Sequence, residues 1–145
     1  MIKIHLIAVG KIKESFFREG VNEYLKRLSR FADVSVRELP ERSALEEEGE
    51  DISRAVKGYV IALAIEGKKL SSELLAQKLK SLTDGGKEIS LVIGSSHGLC
   101  KAVKDRADFL LSFSDMTFPH QLMRVILCEQ IYRAFMINAG SEYHK

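Results

Sequence analysis

Hydrophobic residues along the chain follow two alternating patterns, one typical of buried strands and one typical of amphipathic helices. Apolar runs predict strands at Ile2–Val9, 59–65, Ile89–Ile93 and 109–113, and Val34, Val36 and Leu39 mark a short strand at 34–39. Between them, apolar residues three and four positions apart predict helices at 14–31, 43–56, 71–82, 99–107 and 119–138. This alternation predicts an α/β protein with a mainly parallel sheet and helices on both faces.

Length and composition are ordinary for a globular protein. The chain has 145 residues, of which 46% are hydrophobic and 29% charged, so we expect one domain over residues 1–145. No apolar run approaches the roughly 20 residues of a membrane span, and the N-terminus lacks the pattern of a signal peptide. We therefore expect a cytoplasmic protein with no membrane partner. Cys100 and Cys128 fit reduced thiols, and the scattered His and Cys residues give no metal-site spacing.

Charge is unevenly distributed along the chain. Residues 1–37 carry a net charge of +4 and residues 38–51 a net charge of −6. Two solvated faces would produce this pattern, and so would a basic segment that contacts a polyanion. The basic side chains in question are Lys11, Lys13, Arg18, Lys26, Arg27 and Arg30.

Three segments follow predicted strands, where ligands bind in parallel sheets. They are Glu66-Gly67, the loop 94–98 and the loop 112–118. The loop 94–98 is neither a Walker loop nor a complete GxGxxG motif, so a plain turn is an equal alternative. In the loop 112–118, the Phe and Met side chains either cap the core or line an adenine pocket.

The last predicted helix is apolar on nearly all sides, which indicates burial on most sides and favours a homodimer interface. Within it, Glu129 and Arg133 stand four residues apart and can form an ion pair. The chain ends in Tyr143-His144-Lys145, which is either a frayed tail or a set of groups that hold an RNA base or phosphate.

Taken together, these segments resemble the RlmH family of small bacterial SPOUT-class methyltransferases. The resemblance covers the whole chain, and its motifs are LIAVGK from Leu6, LVIG from Leu91, LSFS from Leu111, MTFPHQ from Met116, MRV from Met123, EQ from Glu129, YRAF from Tyr132 and YHK from Tyr143. It implies a homodimer with a C-terminal trefoil knot, which uses S-adenosyl-L-methionine to methylate N3 of a pseudouridine in 23S rRNA on the assembled 70S ribosome.

The resemblance also implies site residues. Cofactor binding falls on Leu63, Gly94, Phe113, Ser114, Asp115, Met116, Thr117 and Phe118. Removing the N3 proton calls for a base with a near-neutral pKa, so His144 and His120 are candidates, and Glu129 is a weaker one. Tyr143 would orient the target base, and Arg124, Arg133 and Lys145 would hold phosphate or developing negative charge.

One residue departs from the family pattern, because Ser95 stands where the family has a second glycine. A serine there would be strained if the position requires a positive φ, and would fit if it requires only a small side chain. Two rival functions also remain: a non-catalytic RNA-binding factor, and a flavodoxin-like nucleotide or flavin domain.

Overall fold

Each apolar run forms a strand in the computed structural model, which describes residues 1–143. The strands are β1 (Ile2–Val9), β2 (Ala32–Leu39), β3 (Tyr59–Lys69), β4 (Ile89–Ile93) and β5 (Phe109–Ser112). The helices are α1 (Ser15–Leu28), α2 (Leu45–Ala55), α3 (Ser72–Asp84), α4 (Lys101–Arg106) and α5 (His120–Asn138). The predicted order of strands and helices is confirmed.

The five strands form one sheet in the order β2-β1-β4-β3-β5, and all neighbouring strands are parallel. Successive side chains of a strand point to opposite faces. Ile4 and Leu6 of β1 therefore pack in a core with α1, α3 and α5, while Ile7 and Val9 pack in a second core with α2 and α4. The predicted helices on both faces are confirmed.

Helix boundaries follow local capping chemistry. The hydroxyl of Ser71 accepts a hydrogen bond from the Leu74 amide at 3.1 Å, which confirms the predicted N-cap of α3. The last helix begins at His120, and Pro119 is its N-cap rather than its first helical residue. That boundary was therefore predicted one residue too early.

Strand β3 differs most from its prediction, because it continues to Lys69 instead of ending at Ile65. Both Leu63 and Lys68 pair with Leu111 of β5, so residues 64–67 are extra residues between the two pairings. They form an irregularity at the carboxyl edge of the sheet. A local hydrophobic pattern does not reveal it, because it depends on pairing with a strand more than 40 residues later.

The parallel arrangement brings the carboxyl ends of β1, β3, β4 and β5 to one edge of the sheet.

Both cysteines are free and buried. Among residues 1–143, no helix is long and apolar enough to cross a membrane.

Candidate active site

A cavity of about 650 Å³ opens at the carboxyl edge of the sheet. The ends of β3, β4 and β5 and the start of α5 form its walls. Seven of the eight cofactor residues implied by the resemblance line it, namely Leu63, Gly94, Phe113, Ser114, Met116, Thr117 and Phe118. The eighth, Asp115, is absent from the lining; it is 81% exposed, and its carboxylate lies 2.6 Å from Lys69 Nζ.

The loop after β4 approaches its own backbone so closely that Gly94 has no space for a side chain. A Cβ atom at Gly94 would lie 2.5 Å from the carbonyl oxygen of Gly98. Glycine therefore permits the tight loop that forms one wall of the cavity.

Ser95 fits the loop without strain, because no residue other than glycine in the described chain has a positive φ. Its hydroxyl is buried and donates a hydrogen bond to Glu48 Oε1 at 3.1 Å. Ser95 Oγ also accepts a hydrogen bond from the His97 amide at 3.3 Å. The position therefore needs a small side chain rather than a second glycine, and serine adds a bond between this loop and α2.

The loop after β5 combines local hydrogen bonds with apolar side chains. Ser112 Oγ donates to the Ser114 carbonyl at 3.1 Å, and Ser114 Oγ accepts from the Met116 amide at 3.0 Å. Phe113 and Phe118 are half-buried, while Met116 is 73% exposed at the cavity. Apolar surfaces beside backbone polar groups suit a flat heteroaromatic ring.

His120, the first residue of α5, also lines the cavity. Partial burial lowers the pKa of its imidazole below the ordinary value of 6.5, and the positive charge of Arg124 adds to the effect. The imidazole is therefore neutral at pH 7 and can accept a proton.

Arg124 does not occupy the exposed position expected of a phosphate contact. It is only 4% exposed, and its Nη1 lies 2.6 Å from Glu38 Oε2. Its Nη2 donates to the carbonyl oxygen of Gly10 at 2.6 Å. In the single chain the guanidinium therefore connects α5 to the end of β1, and its burial leaves it little access to an RNA phosphate.

Glu129, Arg133 and Tyr143 form a cluster on the second half of α5. Arg133 Nη2 lies 2.9 Å from Glu129 Oε2, so the predicted pair is confirmed. The Tyr143 hydroxyl donates to the same carboxylate at 3.2 Å, and the Arg133 guanidinium lies 5.0 Å from the centre of the Tyr143 ring. Burial is the main cause that raises the pKa of Tyr143 to about 12, so the phenol remains a neutral donor.

This cluster lies away from the cavity of its own chain. Glu129 is nine residues beyond His120, and the rise of an α-helix separates them by about 13 Å along the axis. The structure therefore gathers the implied cofactor residues in one place and Glu129, Arg133 and Tyr143 in another. The other two tail residues, His144 and Lys145, lie outside the described residues.

Two polar contacts at the cavity or beside it are not indicated by the sequence motifs. Lys104 of α4 lies 2.8 Å from Glu66 Oε2, and both side chains line the cavity. The Glu48–Ser95 contact connects α2 to the loop after β4. Each contact joins residues that are tens of positions apart, so no local spacing reveals either.

Some of the basic side chains in the N-terminal part of the chain already have partners within the chain. Arg18 donates to the carbonyl oxygen of Ile12 at 2.7 Å, and Arg27 Nε lies 2.8 Å from Glu23 Oε2. Lys11 and Lys13 are exposed. Across residues 1–143, no group of three or more His, Cys, Asp or Glu side chains is arranged to hold a metal ion.

Comparison with known proteins gives a consistent family. The model of the family described as "Predicted SPOUT methyltransferase" matches residues 2–144. The chain is 51% identical to "Ribosomal RNA large subunit methyltransferase H" of Bifidobacterium adolescentis, over 99% of this chain and all of the relative. It is 50% identical to the protein of the same name from Levilactobacillus brevis, with the same coverage.

Solved structures resemble the fold at much lower identity. A putative methylase family protein from Neisseria gonorrhoeae matches with a TM-score of 0.51 and 10% identity, over 90% of this chain and 81% of that one. A probable methylase family protein from Haemophilus influenzae matches with a TM-score of 0.56 and 9% identity, over 94% and 66% of the two chains. These matches support the fold alone.

Proposed function

The chain belongs to the SPOUT methyltransferase family, and on that premise we propose that it methylates N3 of a pseudouridine in 23S rRNA on the assembled 70S ribosome. The methyl donor in this proposal is S-adenosyl-L-methionine, which supplies an electrophilic methyl group when bound. The observation that carries the proposal is the cavity at the carboxyl edge of the sheet, where seven residues implied by the family come together.

The cavity fits this donor in size and chemistry. Its volume of about 650 Å³ lies within the usual range of small-molecule sites. The side chains of Leu63, Phe113 and Phe118 offer apolar contact to an adenine ring, and the backbone around Gly94 offers polar groups at its edge.

The chain must also remove a proton from N3, because that nitrogen becomes nucleophilic only when deprotonated. We assign this step to His144, since His120 lies in the wall that the donor would cover. Tyr143 would orient the target base as a neutral donor, and Arg133 and Lys145 would hold phosphate or the negative charge that develops on the ring. Glu129 is a less suitable base, because Arg133 and Tyr143 already donate to its carboxylate.

A homodimer with the site near the subunit interface is part of the proposal. Several apolar side chains of α5 remain only partly buried in the single chain: Leu122, Met123, Val125, Ile126, Phe135, Met136 and Ile137. The cluster around Tyr143 is also too far along α5 to reach the cavity of its own chain. A second copy would cover the apolar residues and bring such groups to the cavity. The family's trefoil knot and a cytoplasmic location, where ribosomes reside, complete the proposal.

The direct test is transfer of labelled methyl to 70S ribosomes whose 23S rRNA lacks this mark, with free 23S rRNA in parallel. We expect label on a pseudouridine of the ribosome and little label on free rRNA. Equal labelling of both would contradict the need for an assembled ribosome. No label on either, with folded protein, would contradict the proposed reaction and favour a non-catalytic RNA-binding factor.

A further inference from the structure

Of the three segments at strand ends, Glu66-Gly67 has no part in the proposed function so far. The irregularity between Leu63 and Lys68 leaves this segment unpaired between two stretches that pair with β5. A Cβ atom at Gly67 would lie 2.7 Å from the carbonyl oxygen of Leu110, so the close approach requires glycine. The result is that Glu66 lies in the cavity wall.

The Glu66 carboxylate is held there by Lys104 of α4, whose Nζ lies 2.8 Å from Glu66 Oε2. The Lys104 side chain is 29% exposed, so most of its length packs against the protein. The lysine holds the pKa of Glu66 below its ordinary value, and the carboxylate is therefore ionised at neutral pH. An ion pair this exposed contributes little to folding stability, so stabilising the fold would be only a small role for it.

Charge in the cavity is confined to one side. Within the described residues that line it, Glu66 supplies the single carboxylate and Lys104 the single ammonium group. The other lining side chains are mostly apolar or carry hydroxyl groups, apart from the neutral imidazole of His120. The methyl donor has matching parts, since its adenosine is uncharged and presents apolar ring faces, while its amino-acid end carries an ammonium and a carboxylate.

We propose that Glu66 contacts the methyl donor, its carboxylate accepting a hydrogen bond from the donor's α-ammonium group, and that Lys104 is the positioning residue that holds this carboxylate in place. This inference rests on the proposed function, because it takes S-adenosyl-L-methionine as the ligand. It goes further by dividing the cavity: the charged pair binds the amino-acid end, and the apolar wall binds the adenosine.

Isothermal titration of the full-length protein with two ligands tests this division. S-adenosyl-L-methionine has the amino-acid end, and 5′-methylthioadenosine lacks it while keeping the adenosine. Because methylthioadenosine also lacks the sulfonium charge, S-adenosyl-L-homocysteine, which keeps the amino-acid end without that charge, is the control ligand and should lose affinity together with S-adenosyl-L-methionine. Glu66→Gln removes the negative charge of the acceptor and should weaken binding of S-adenosyl-L-methionine by about tenfold or more, the usual contribution of a hydrogen bond between charged groups, and leave methylthioadenosine within about twofold. Asp105 lies on α4, the helix that carries Lys104, and forms an exposed ion pair with Lys101. Asp105→Asn is therefore the matched control and should bind both ligands like wild type.

Lys104 is tested by Lys104→Met and Lys104→Arg, with Lys101→Met as the control on the same helix. Lys104→Met should weaken binding of S-adenosyl-L-methionine selectively, and Lys104→Arg should restore most of the affinity because it keeps the charge. Circular dichroism checks that each variant is folded. Loss of affinity for both ligands together in Lys104→Met, or no rescue by arginine, would contradict the positioning role.

The outcomes separate this inference from the proposed function. If wild-type protein does not bind S-adenosyl-L-methionine, the proposed function fails. If wild-type protein binds it and Glu66→Gln binds it equally well, the function stands and the role of Glu66 is wrong. If Glu66→Gln weakens both ligands equally, the carboxylate does not recognise the amino-acid end, and the proposed division of the cavity is wrong.

Discussion

The two halves of α5 differ in what they contact. The first half contributes His120 and Met123 to the cavity and inserts Arg124 between the end of β1 and Glu38. The second half carries Glu129 and Arg133, which meet the chain's C-terminal segment at Tyr143 rather than the cavity.

The separation of these halves indicates how the site is completed. Methyl transfer requires the donor's methyl group, the target base and the general base in contact. In one chain, His120 and Glu129 lie about 13 Å apart along the helix axis, too far to share one reaction centre. In the proposed function, the same helix would therefore supply cofactor contacts at one end and substrate groups at the other, and a second copy of the chain would bring the two kinds of group together.

The largest expected effect separates the two candidate bases. His144→Ala should lower the single-turnover rate of methyl transfer by about 100-fold or more, the usual contribution of a general base, while the affinity for S-adenosyl-L-methionine changes only a few-fold. His120→Ala should instead act mainly on cofactor affinity, because His120 lines the cavity. An unchanged rate in His144→Ala would remove that residue from the mechanism. A loss of rate in His120→Ala at unchanged affinity would move the base to the first half of the helix.

The next largest effect concerns Arg124. Arg124→Met removes a buried guanidinium. The carbonyl group of Gly10 and the carboxylate of Glu38 then lose the hydrogen bonds that Arg124 donates to them. The free energy of unfolding in urea should fall by about 2–4 kcal/mol, slightly below the usual loss for a fully buried pair because Glu38 is partly exposed. Lys80→Met, which breaks the exposed pair with Asp84, should cost less than about 1 kcal/mol. An Arg124→Met variant of normal stability that binds ribosomes poorly would restore Arg124 as an RNA contact.

A smaller effect on stability is expected at Tyr143, which contacts the second half of α5. Tyr143→Phe removes the hydroxyl that donates to Glu129 but keeps the ring, so stability should fall by about 0.5–1.5 kcal/mol. Tyr143→Leu also removes the ring beside Arg133 and the edge-on contact with Tyr132, and should lose more. Urea denaturation of both variants checks the order. Equal stability of wild type and both variants would show that Tyr143 is not packed against α5 in solution.

The smallest effect is a pH dependence at His120. Its pKa is lowered in the folded chain, so the unfolded chain binds the proton more readily. The free energy of unfolding should therefore fall as the pH drops through the ordinary histidine value of 6.5, and His120→Gln should remove that part of the fall. The exposed His97, replaced in the same way, is the control. If the His120→Gln and wild-type profiles are parallel, the imidazole is not desolvated in the cavity.

Sequence predicted the fold more completely than the site. All ten helices and strands follow from hydrophobic spacing. A strand buried on both faces, such as β4, is continuously apolar, and the helices carry apolar residues three and four positions apart. The extension of β3 to Lys69 was missed, since it depends on pairing with β5. The burial of Arg124 was also missed, because its partner Glu38 is 86 residues earlier in the chain.

The cofactor residues needed a different kind of information. Hydrophobic spacing located the strand ends, and the family resemblance selected particular residues there. Seven of these meet at one cavity because parallel strands end at one edge of the sheet. Neither source indicated the Glu66–Lys104 pair, whose two residues are 38 positions apart in the chain.

The proposed function depends most directly on binding of the methyl donor in this cavity. Titration of S-adenosyl-L-methionine into wild-type protein and Gly94→Val tests it, because any side chain at Gly94 would displace the loop that forms one wall. Gly85→Ala is the control, since a Cβ atom there meets its nearest neighbours at 3.5 Å. We predict one donor molecule bound per wild-type or Gly85→Ala chain and no measurable binding to folded Gly94→Val. Equal affinity in folded Gly94→Val and wild type would contradict the assignment of the cavity.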